Sequence, residues 1–422
     1  MINTMGSRKS DDSNKMHLKV YVFILFFVFG GITSLNDILI PKLKELFSLS
    51  YSKAMLIQSA FFASYFFISV PCGLLVRKYG YMRSACVGLS IMAVGCLCFI
   101  LASKSVSFFL FLFALCILAS GITMVQVVSN PLISLLGDPL TTASRLTFAQ
   151  AFNSLGTTIA PYIGAIIILN NLSNVDVSSM SAEDLYQYRI YETSIISDTY
   201  FIIATVLLGI SLLIWFQRNS LSEKNLEAVS FIKSLELLKN FRFLFGSLCI
   251  FLYVGAEVSV GSMMVNYLMR EDTLSLNGVS AGKHAAMYWG SAMIGRFIGS
   301  WFLTHHSAGK ILAFTGSMAS LLLLISASSY GWISGWSLIA IGLFNSIMFP
   351  TIFSLANFGL GSRAPEGSGL ICMAIVGGAI VPLITGYVAD ISNLKVALLV
   401  PVFCYLNIAL YGWLSKQIFA KT

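Results

Sequence analysis

Charged residues are scarce in this sequence. Asp, Glu, Lys and Arg make up 10% of its 422 residues, whereas hydrophobic residues make up 57%. Soluble domains carry about 25% charged residues, and the mean hydropathy here is +0.83. These values exclude an ordinary soluble domain and indicate a protein that crosses a membrane several times.

The motifs of several enzyme and cofactor classes are missing as well. The sequence has no CxxC pair, no HExxH and no GxxxxGK[ST] loop, so it offers neither a metal-ligand spacing nor an ATP-binding loop. No paired acid and base or nucleophile arrangement argues for a membrane enzyme, and we predict no cofactor. The cysteines are expected to be small core residues, because all lie in apolar stretches: Cys72, Cys86, Cys96, Cys98, Cys116, Cys249, Cys372 and Cys404.

Apolar runs of membrane length are abundant. A bilayer core of about 30 Å needs roughly 20 apolar residues in a helix. Residues 1–18 are polar and the first run is long, so we expect no cleaved signal peptide. Twelve such runs predict an all-α membrane protein with twelve transmembrane helices, whose approximate cores are residues 19–40, 54–76, 81–102, 107–136, 146–169, 198–216, 243–268, 285–304, 311–329, 333–358, 368–389 and 396–415.

Lys and Arg are unevenly divided between the two sides of these spans. Seventeen fall on the side of the N-terminus and eight on the opposite side, which by the positive-inside rule places both termini in the cytoplasm. The net charge of +8 is therefore a topology signal rather than a sign of nucleic-acid binding. We expect an N-terminal tail (1–18), a six-helix bundle (19–217), a cytoplasmic linker (218–240), a second six-helix bundle (241–416) and a C-terminal tail (417–422).

The two halves resemble each other. TIAPYIGAI in span five matches AIVPLITGY in span eleven, NPLISLLG in span four matches FPTIFSLANFGLG in span ten, and FGGITSLN in span one matches VGAEVSVG in span seven. Three matches in the same order, six spans apart, indicate a duplication. Duplicated six-helix halves are the architecture of major facilitator transporters, in which the substrate binds near the membrane midplane and access alternates.

An acidic residue lies almost at the end of the first span. The stretch TSLNDILIP contains Asn36 and Asp37 after a run without any charge. One interpretation is a carboxylate at the membrane surface, near Lys42 and Lys44. The other is a carboxylate in a water-filled passage, where it takes up and releases a coupling cation. The second interpretation makes Asp37 a candidate for cation coupling and its neighbour Asn36 a candidate for substrate binding.

Neutral polar residues follow helical spacing in spans four and five. Gln126 and Asn130 are four residues apart and share a face of span four, and a second polar stripe follows in span five. Amides and hydroxyls donate and accept hydrogen bonds, which suits a polyhydroxylated sugar, whereas a carboxylate or phosphate substrate requires Arg or Lys at mid-span. Hydrogen bonding between helices is the alternative. The stripe of span five consists of Gln150, Asn153, Ser154 and Thr157.

The second half has its own intramembrane candidates. Glu257 is a second acid within a span, either as a cation site or as an acceptor for the substrate, with a buried pair to a neighbouring helix as the alternative. Asn266 and Asn345 are further candidates for substrate binding, and Tyr288 and Trp289 for stacking on a sugar. Arg296, in contrast, is expected near the cytoplasmic end of its span as a structural anchor.

Five stretches together resemble one family of the major facilitator superfamily, the fucose permeases and glucose/galactose transporters. They are TSLNDILIP, FFASYFFISVPCGLLVRKYGYM, SNPLISLLG, SRLTFAQAFNSLGTTIAP and YVGAEVSVGSMMVNYL. The resemblance implies symport of a hexose with a cation, with Asp37 in the coupling role. Fucose permeases carry a glutamate where this chain has Gln126. In having Gln126 and Glu257, this chain resembles the glucose/galactose branch instead. Arg77 replaces the acid of the general superfamily loop between spans two and three.

The predicted function is therefore import of a neutral hexose, glucose or galactose, with H⁺ or Na⁺ in a plasma membrane, which in a prokaryote is the inner membrane. Fucose or another sugar as a proton-coupled substrate is the first alternative. Efflux of a drug-like amphiphile and a sugar sensor that does not transport are the others. We expect a monomer whose partners are the sugar, the coupling cation and the lipid bilayer.

Overall fold

The computed structural model describes residues 18–35, 39, 43, 46–47, 51–164, 181–219 and 231–416. All secondary structure among them is helical. Asn36 and Asp37 lie outside the described residues.

The helices of the first half follow the apolar runs closely, with one exception. The last of them begins at Ala182, well before its predicted core at residue 198, because an amphipathic segment with Glu183, Asp184 and a Ser181 cap precedes the apolar part. The helices are α1 (Leu18–Leu35), α2 (Tyr51–Tyr79), α3 (Tyr81–Lys104), α4 (Phe108–Leu135), α5 (Thr142–Gly164) and α6 (Ala182–Phe216).

Three spans of the second half are divided into pieces, the twelfth at the single residue Leu398. The tenth is broken at residues 346–347 and the eleventh by a 3₁₀ turn, Ala374–Val376. The helices are α7 (Phe241–Met269), α8 (Gly278–His305), α9 (Ala308–Ser328), α10a (Gly331–Asn345), α10b (Met348–Asn357), α11a (Ala364–Met373), α11b (Gly377–Ile391), α12a (Leu394–Ala397) and α12b (Leu399–Leu414).

Ten segments of the described chain are long and apolar enough to cross a membrane. The two membrane-length helices that fall short of this apolarity are α5 and α8, which have 23 and 28 residues. These helices carry the polar stripe of span five and Arg296 respectively. These polar residues lower the apolarity of the two helices, and with α5 and α8 the count among the described residues reaches the predicted twelve.

The chain divides into two compact units. The described residues of the first unit lie within Met1–Leu132 and Leu155–Ala228. Those of the second unit lie within Ile133–Ser154 and Val229–Thr422. Residues 133–154 group with the second unit through contacts to α8. The Ser144 hydroxyl donates a hydrogen bond to the Ser300 carbonyl at 2.7 Å, and the rings of Phe148 and Phe297 pack edge to face with centroids 6.0 Å apart.

Each unit contains a close helix crossing made by glycines. In the first unit, Gly31 of α1 and Gly156 of α5 face each other, and a Cβ at Gly156 would collide with the Phe27 carbonyl. In the second unit, Gly377 of α11b lies against the backbone of α7, near Gly255. Small residues let helices approach closely enough for extensive van der Waals contact, which is the main attraction between helices in lipid.

Outside the spans, the connection between α7 and α8 is fixed by a three-residue charge network. Arg270 pairs with Asp272 at 2.7 Å, and Lys395 at the start of α12a pairs with the same carboxylate at 3.1 Å. The hydrogen bond from Arg270 and the further pairing with Lys395 hold the pKa of Asp272 well below its usual range. The network ties the end of α7 to the start of α12a within the second unit.

The Gly156 crossing yields a stability prediction. Gly156→Ala adds a methyl group against the Phe27 carbonyl, and such overpacking costs about 1–3 kcal/mol, so we expect a lower melting temperature of the purified protein in detergent. Gly209→Ala in α6 is the matched control, because a Cβ there has no described atom within 4 Å. Equal melting temperatures for the two variants would contradict the crossing.

Candidate functional site

The polar face of α4 lies in the interior of the first unit, as its spacing predicts. The Tyr65 hydroxyl of α2 donates a hydrogen bond to Gln126 Oε1 at 2.9 Å. Tyr65 and Gln126 are 3% and 8% exposed, and Asn130, one turn further along α4, is fully buried. Because a buried amide without a partner costs about 1–3 kcal/mol, Tyr65 both stabilises Gln126 and fixes the direction of its carboxamide.

The polar stripe of α5 is divided between buried and accessible positions. Gln150 and Ser154 are buried, whereas Asn153 and Thr157 are half-buried. The Gln150 carbonyl accepts a hydrogen bond at 3.2 Å from Arg296, and the Ser154 hydroxyl also accepts one from this residue. Ser154 is therefore occupied by a protein partner, and Asn153 is the stripe residue of the second unit that retains accessible surface.

Arg296 lies deeper in α8 than the predicted position near the cytoplasmic end. The helix ends at His305, so about 14 Å of helix separate Arg296 from that end. Besides the two acceptors on α5, its Nε donates to the Ser346 carbonyl at 3.3 Å. The expected depth of Arg296, near the cytoplasmic end of its span, is corrected by these contacts, which agree with its expected role as a structural anchor.

The Ser346 carbonyl is available to Arg296 because of Pro350. Proline has no backbone N–H, so the carbonyl four residues before it loses its helical partner and is pushed away by the ring. The break between α10a and α10b falls at this point. An open carbonyl inside a membrane requires another donor, which Arg296 supplies. FPTIF at residue 349 carries this signal in the sequence, although the partner is not predictable from it.

Glu257 is surrounded by fully buried side chains. The Tyr253 hydroxyl lies 2.7 Å from Glu257 Oε1 and 3.1 Å from the Asn345 carbonyl, and the Asn345 amide nitrogen donates to the Tyr288 hydroxyl at 2.7 Å. Tyr253, Tyr288 and Asn345 are at most 1% exposed, whereas Glu257 is half-buried. Arg296 donates to the carbonyl of Ser346, the residue next to Asn345. We call Tyr253, Glu257, Tyr288, Arg296 and Asn345 the Glu257 cluster.

Two predicted residues of the second unit lie outside this cluster. Asn266 is exposed and lies nine residues after Glu257, about 14 Å further along α7. Tyr288 belongs to the cluster, but it is too deeply buried to stack on a ligand. Trp289, in contrast, is 49% exposed and packs its indole against Gly261, one turn after Glu257.

A groove of about 670 Å³ lies elsewhere, between α3, α4 and α6. Its lining is largely apolar and includes none of the predicted site residues; Val87, Val94, Ile117, Leu208 and Trp215 contribute to it. The residues that the structure describes contain no group of three or more His, Cys, Asp or Glu that could hold a metal ion.

Comparison with known proteins identifies the family. The model of the Major Facilitator Superfamily matches residues 22–381. The chain belongs to the major facilitator superfamily. It is thus a transporter rather than an enzyme, and the all-α membrane fold predicted from the sequence is confirmed.

Members of this superfamily with similar sequences carry the names that the resemblance predicts. A glucose/galactose transporter of Brucella abortus is 44% identical over 98% of this chain and 98% of its own length. An L-fucose-proton symporter of Escherichia coli is 34% identical over 93% of this chain and 92% of its own length. The resemblance to the fucose permease and glucose/galactose transporter family is confirmed.

Solved structures of superfamily members support the same assignment. A crystal structure of FucP in the outward conformation has 32% sequence identity to this chain. The superposition covers 96% of this chain and 100% of the FucP chain, with a TM-score of 0.86. A proton:xylose symporter, XylE, reaches a TM-score of 0.63 at 12% identity and shows the shared fold alone.

The contact between Tyr65 and Gln126 yields a second prediction. Tyr65→Phe leaves the buried Gln126 oxygen without this donor, which we expect to cost about 1–3 kcal/mol of stability and to lower the melting temperature. Tyr162→Phe is the control, because Tyr162 is 72% exposed near the end of α5. An unchanged melting temperature for Tyr65→Phe would show that Gln126 finds another donor.

Proposed function

We propose that the protein imports a neutral hexose, glucose or galactose, by symport with a cation and by alternating access of its two bundles. The observation that carries the proposal is the pairing of Tyr65 with Gln126 next to the buried Asn130. These residues present neutral hydrogen-bonding groups inside a membrane-spanning unit. Such groups match the hydroxyls of a sugar, each of which donates and accepts.

The choice of glucose or galactose over fucose is supported by Gln126 and by the relatives. Identity is 44% to the glucose/galactose transporter and 34% to the fucose-proton symporter. Fucose permeases resemble this chain but carry a glutamate at the position of Gln126. Fucose with a proton remains the alternative to be tested.

A substrate with a carboxylate or phosphate finds less support. Arg296 is the deep cation of α8, and its Nε and one terminal nitrogen already donate to Ser346, Gln150 and Ser154. An anionic substrate is usually bound by two parallel N–H groups of a guanidinium. The contacts of Arg296 leave it less suited to that role than to holding α5, α8 and α10a together.

The cation site that we propose includes Asp37. A carboxylate near the end of an apolar span is costly unless it faces a polar passage, and the resemblance supports the acid of LNDILIP in the coupling role. Glu257 is the second candidate for this role. The proposal further places both termini in the cytoplasm, the bundles at residues 19–217 and 241–416, and a monomer in the plasma membrane.

The function is tested by uptake into proteoliposomes. Labelled glucose, galactose and fucose are offered with an inward gradient of protons or of sodium, each imposed separately. We expect accumulation of glucose or galactose above equilibrium with one of the two gradients, and loss of accumulation when an ionophore dissipates it. Accumulation of none of the three sugars, or equal rates with and without gradients, would contradict sugar symport.

Asp37→Asn separates coupling from binding. Because the amide cannot take up a proton or balance a sodium ion, we expect the variant to lose accumulation against a gradient while it retains exchange of labelled for unlabelled sugar. Asp390→Asn, at the exposed end of α11b, serves as the control and should accumulate sugar normally. Accumulation by Asp37→Asn would remove Asp37 from the coupling role.

Gln126→Ala tests the sugar site of the first unit. We expect the sugar dissociation constant to rise by the equivalent of about 1–3 kcal/mol, because a hydrogen-bonding partner of the sugar is lost. Gln187→Ala in the exposed first turns of α6 is the control. Unchanged affinity of Gln126→Ala, measured by equilibrium binding in detergent, would assign Gln126 to helix packing alone.

A further inference from the structure

The helices α3 and α6 of the first unit pack against each other in opposite directions. Near the start of α3 and the end of α6, the Cys86 thiol donates a hydrogen bond to the Ser211 carbonyl at 3.4 Å. At the opposite ends of the two helices, the Thr193 hydroxyl of α6 lies 3.4 Å from the Ser103 carbonyl of α3. The start of α3 and the end of α6 therefore lie at the same end of the unit, which the proposed orientation makes the cytoplasmic end.

The groove between α3, α4 and α6 opens on the surface of the first unit. Val87 and Val94 of α3 line it and are 46% and 51% exposed, and Leu212 and Trp215 of α6 are 55% and 44% exposed. From Cys86 to Val94 the groove follows about 12 Å of α3. The hydrocarbon of one leaflet is roughly 15 Å thick, so the groove matches the depth of a single leaflet.

The few polar side chains of the groove are bonded to one another. The Ser211 hydroxyl donates to the Cys86 carbonyl at 3.1 Å and lies 3.4 Å from the Ser90 hydroxyl. With these groups paired across the two helices, the lining presents mainly apolar surface. Such a surface fits an acyl chain better than a sugar, whose hydroxyl groups require hydrogen-bonding partners.

Two arginines lie beyond the end of the groove. Arg83 precedes Cys86 by almost one turn of α3, and Arg218 follows Ser211 by about two turns at the end of α6. Both therefore lie on the same side of the contact between Cys86 and Ser211. The Arg218 guanidinium is 4.5 Å from the centroid of the Trp215 ring, which lines the groove. Positive charge thus borders the apolar surface at one end.

We propose that this groove binds an acyl chain of an anionic phospholipid and that Arg83 and Arg218 bind its phosphate. The ion pairs between described residues involve neither arginine. Guanidinium groups recognise phosphate through parallel N–H groups, and basic residues at a membrane surface attract anionic lipids. The groove is lined by none of the residues proposed for sugar or cation binding, so the lipid site stands independently of the proposed function.

Quenching of the Trp215 fluorescence tests the site. The full chain is reconstituted into phosphatidylcholine nanodiscs that contain a small fraction of phosphatidylglycerol or of phosphatidylcholine with brominated acyl chains. The quenching of Trp215 is the difference between the wild type and Trp215→Phe. We expect brominated phosphatidylglycerol to quench Trp215 at a lipid fraction at least about fivefold lower than brominated phosphatidylcholine does. Equal quenching by the two lipids would show only the ordinary lipid annulus and would overturn the proposal.

The double variant Arg83→Gln/Arg218→Gln tests the charges. It should quench equally with both lipids, because the positive charge that distinguishes the two headgroups is removed. Lys416→Gln is the matched control. Lys416 lies over the Trp413 ring at the end of α12b, 4.5 Å from the ring centroid and outside the groove, so this variant should keep the preference for phosphatidylglycerol. A preference that survives in the double variant would overturn the role of the two arginines.

Val94→Phe tests the groove with both arginines in place. The larger side chain occupies the space of the acyl chain, so we expect the preference for phosphatidylglycerol to fall several-fold. Val206→Phe is the control, because Val206 of α6 is 55% exposed and does not line the groove. An unchanged preference in Val94→Phe would show that the arginines attract anionic lipid without the groove, and the proposed site would be wrong.

A second copy of this chain is the other occupant that the experiment distinguishes. A groove covered by a second copy would shield Trp215 from both brominated lipids. The mass of the reconstituted particle would then correspond to a dimer that Val94→Phe converts to a monomer. This combination of results would overturn the lipid site, whereas a monomer with lipid-dependent quenching of Trp215 supports it.

Discussion

The structure depends on one constraint: inside a membrane, every polar group must be satisfied by the protein itself. The second unit shows how this constraint links residues that are distant in sequence. Pro350 removes a helical donor and leaves the Ser346 carbonyl open, and Arg296 of α8 donates to it while also binding Gln150 and Ser154 of α5. The open carbonyl and the guanidinium would each be costly alone. Together they offset each other, and they fix the break in the tenth span beside Glu257.

The same constraint explains the glycines at the helix crossings. Lipid tails are as apolar as the helix surfaces, so helices associate through close packing and polar contacts rather than through the hydrophobic effect. Gly156 against Phe27 in the first unit and Gly377 against Phe251 in the second achieve this approach. In both units the crossing joins the first helix of a six-helix set to the fifth. The recurrence fits the duplication that the sequence matches indicate.

Much of the fold could be predicted from the sequence, because apolar length alone identifies helices in a membrane. The spans, the interior position of Gln126 and Asn130 and the family motifs follow from local patterns. The early start of α6 does not follow from apolar length, because its first turns are polar. The break after Asn345 depends on Pro350, which apolar length does not register either. The contacts of Arg296 do not follow from the sequence, because its acceptors on α5 and at Ser346 are defined by tertiary packing. The periodicity of polar residues identifies the helix face that a residue occupies, but not the residue on another helix that it contacts.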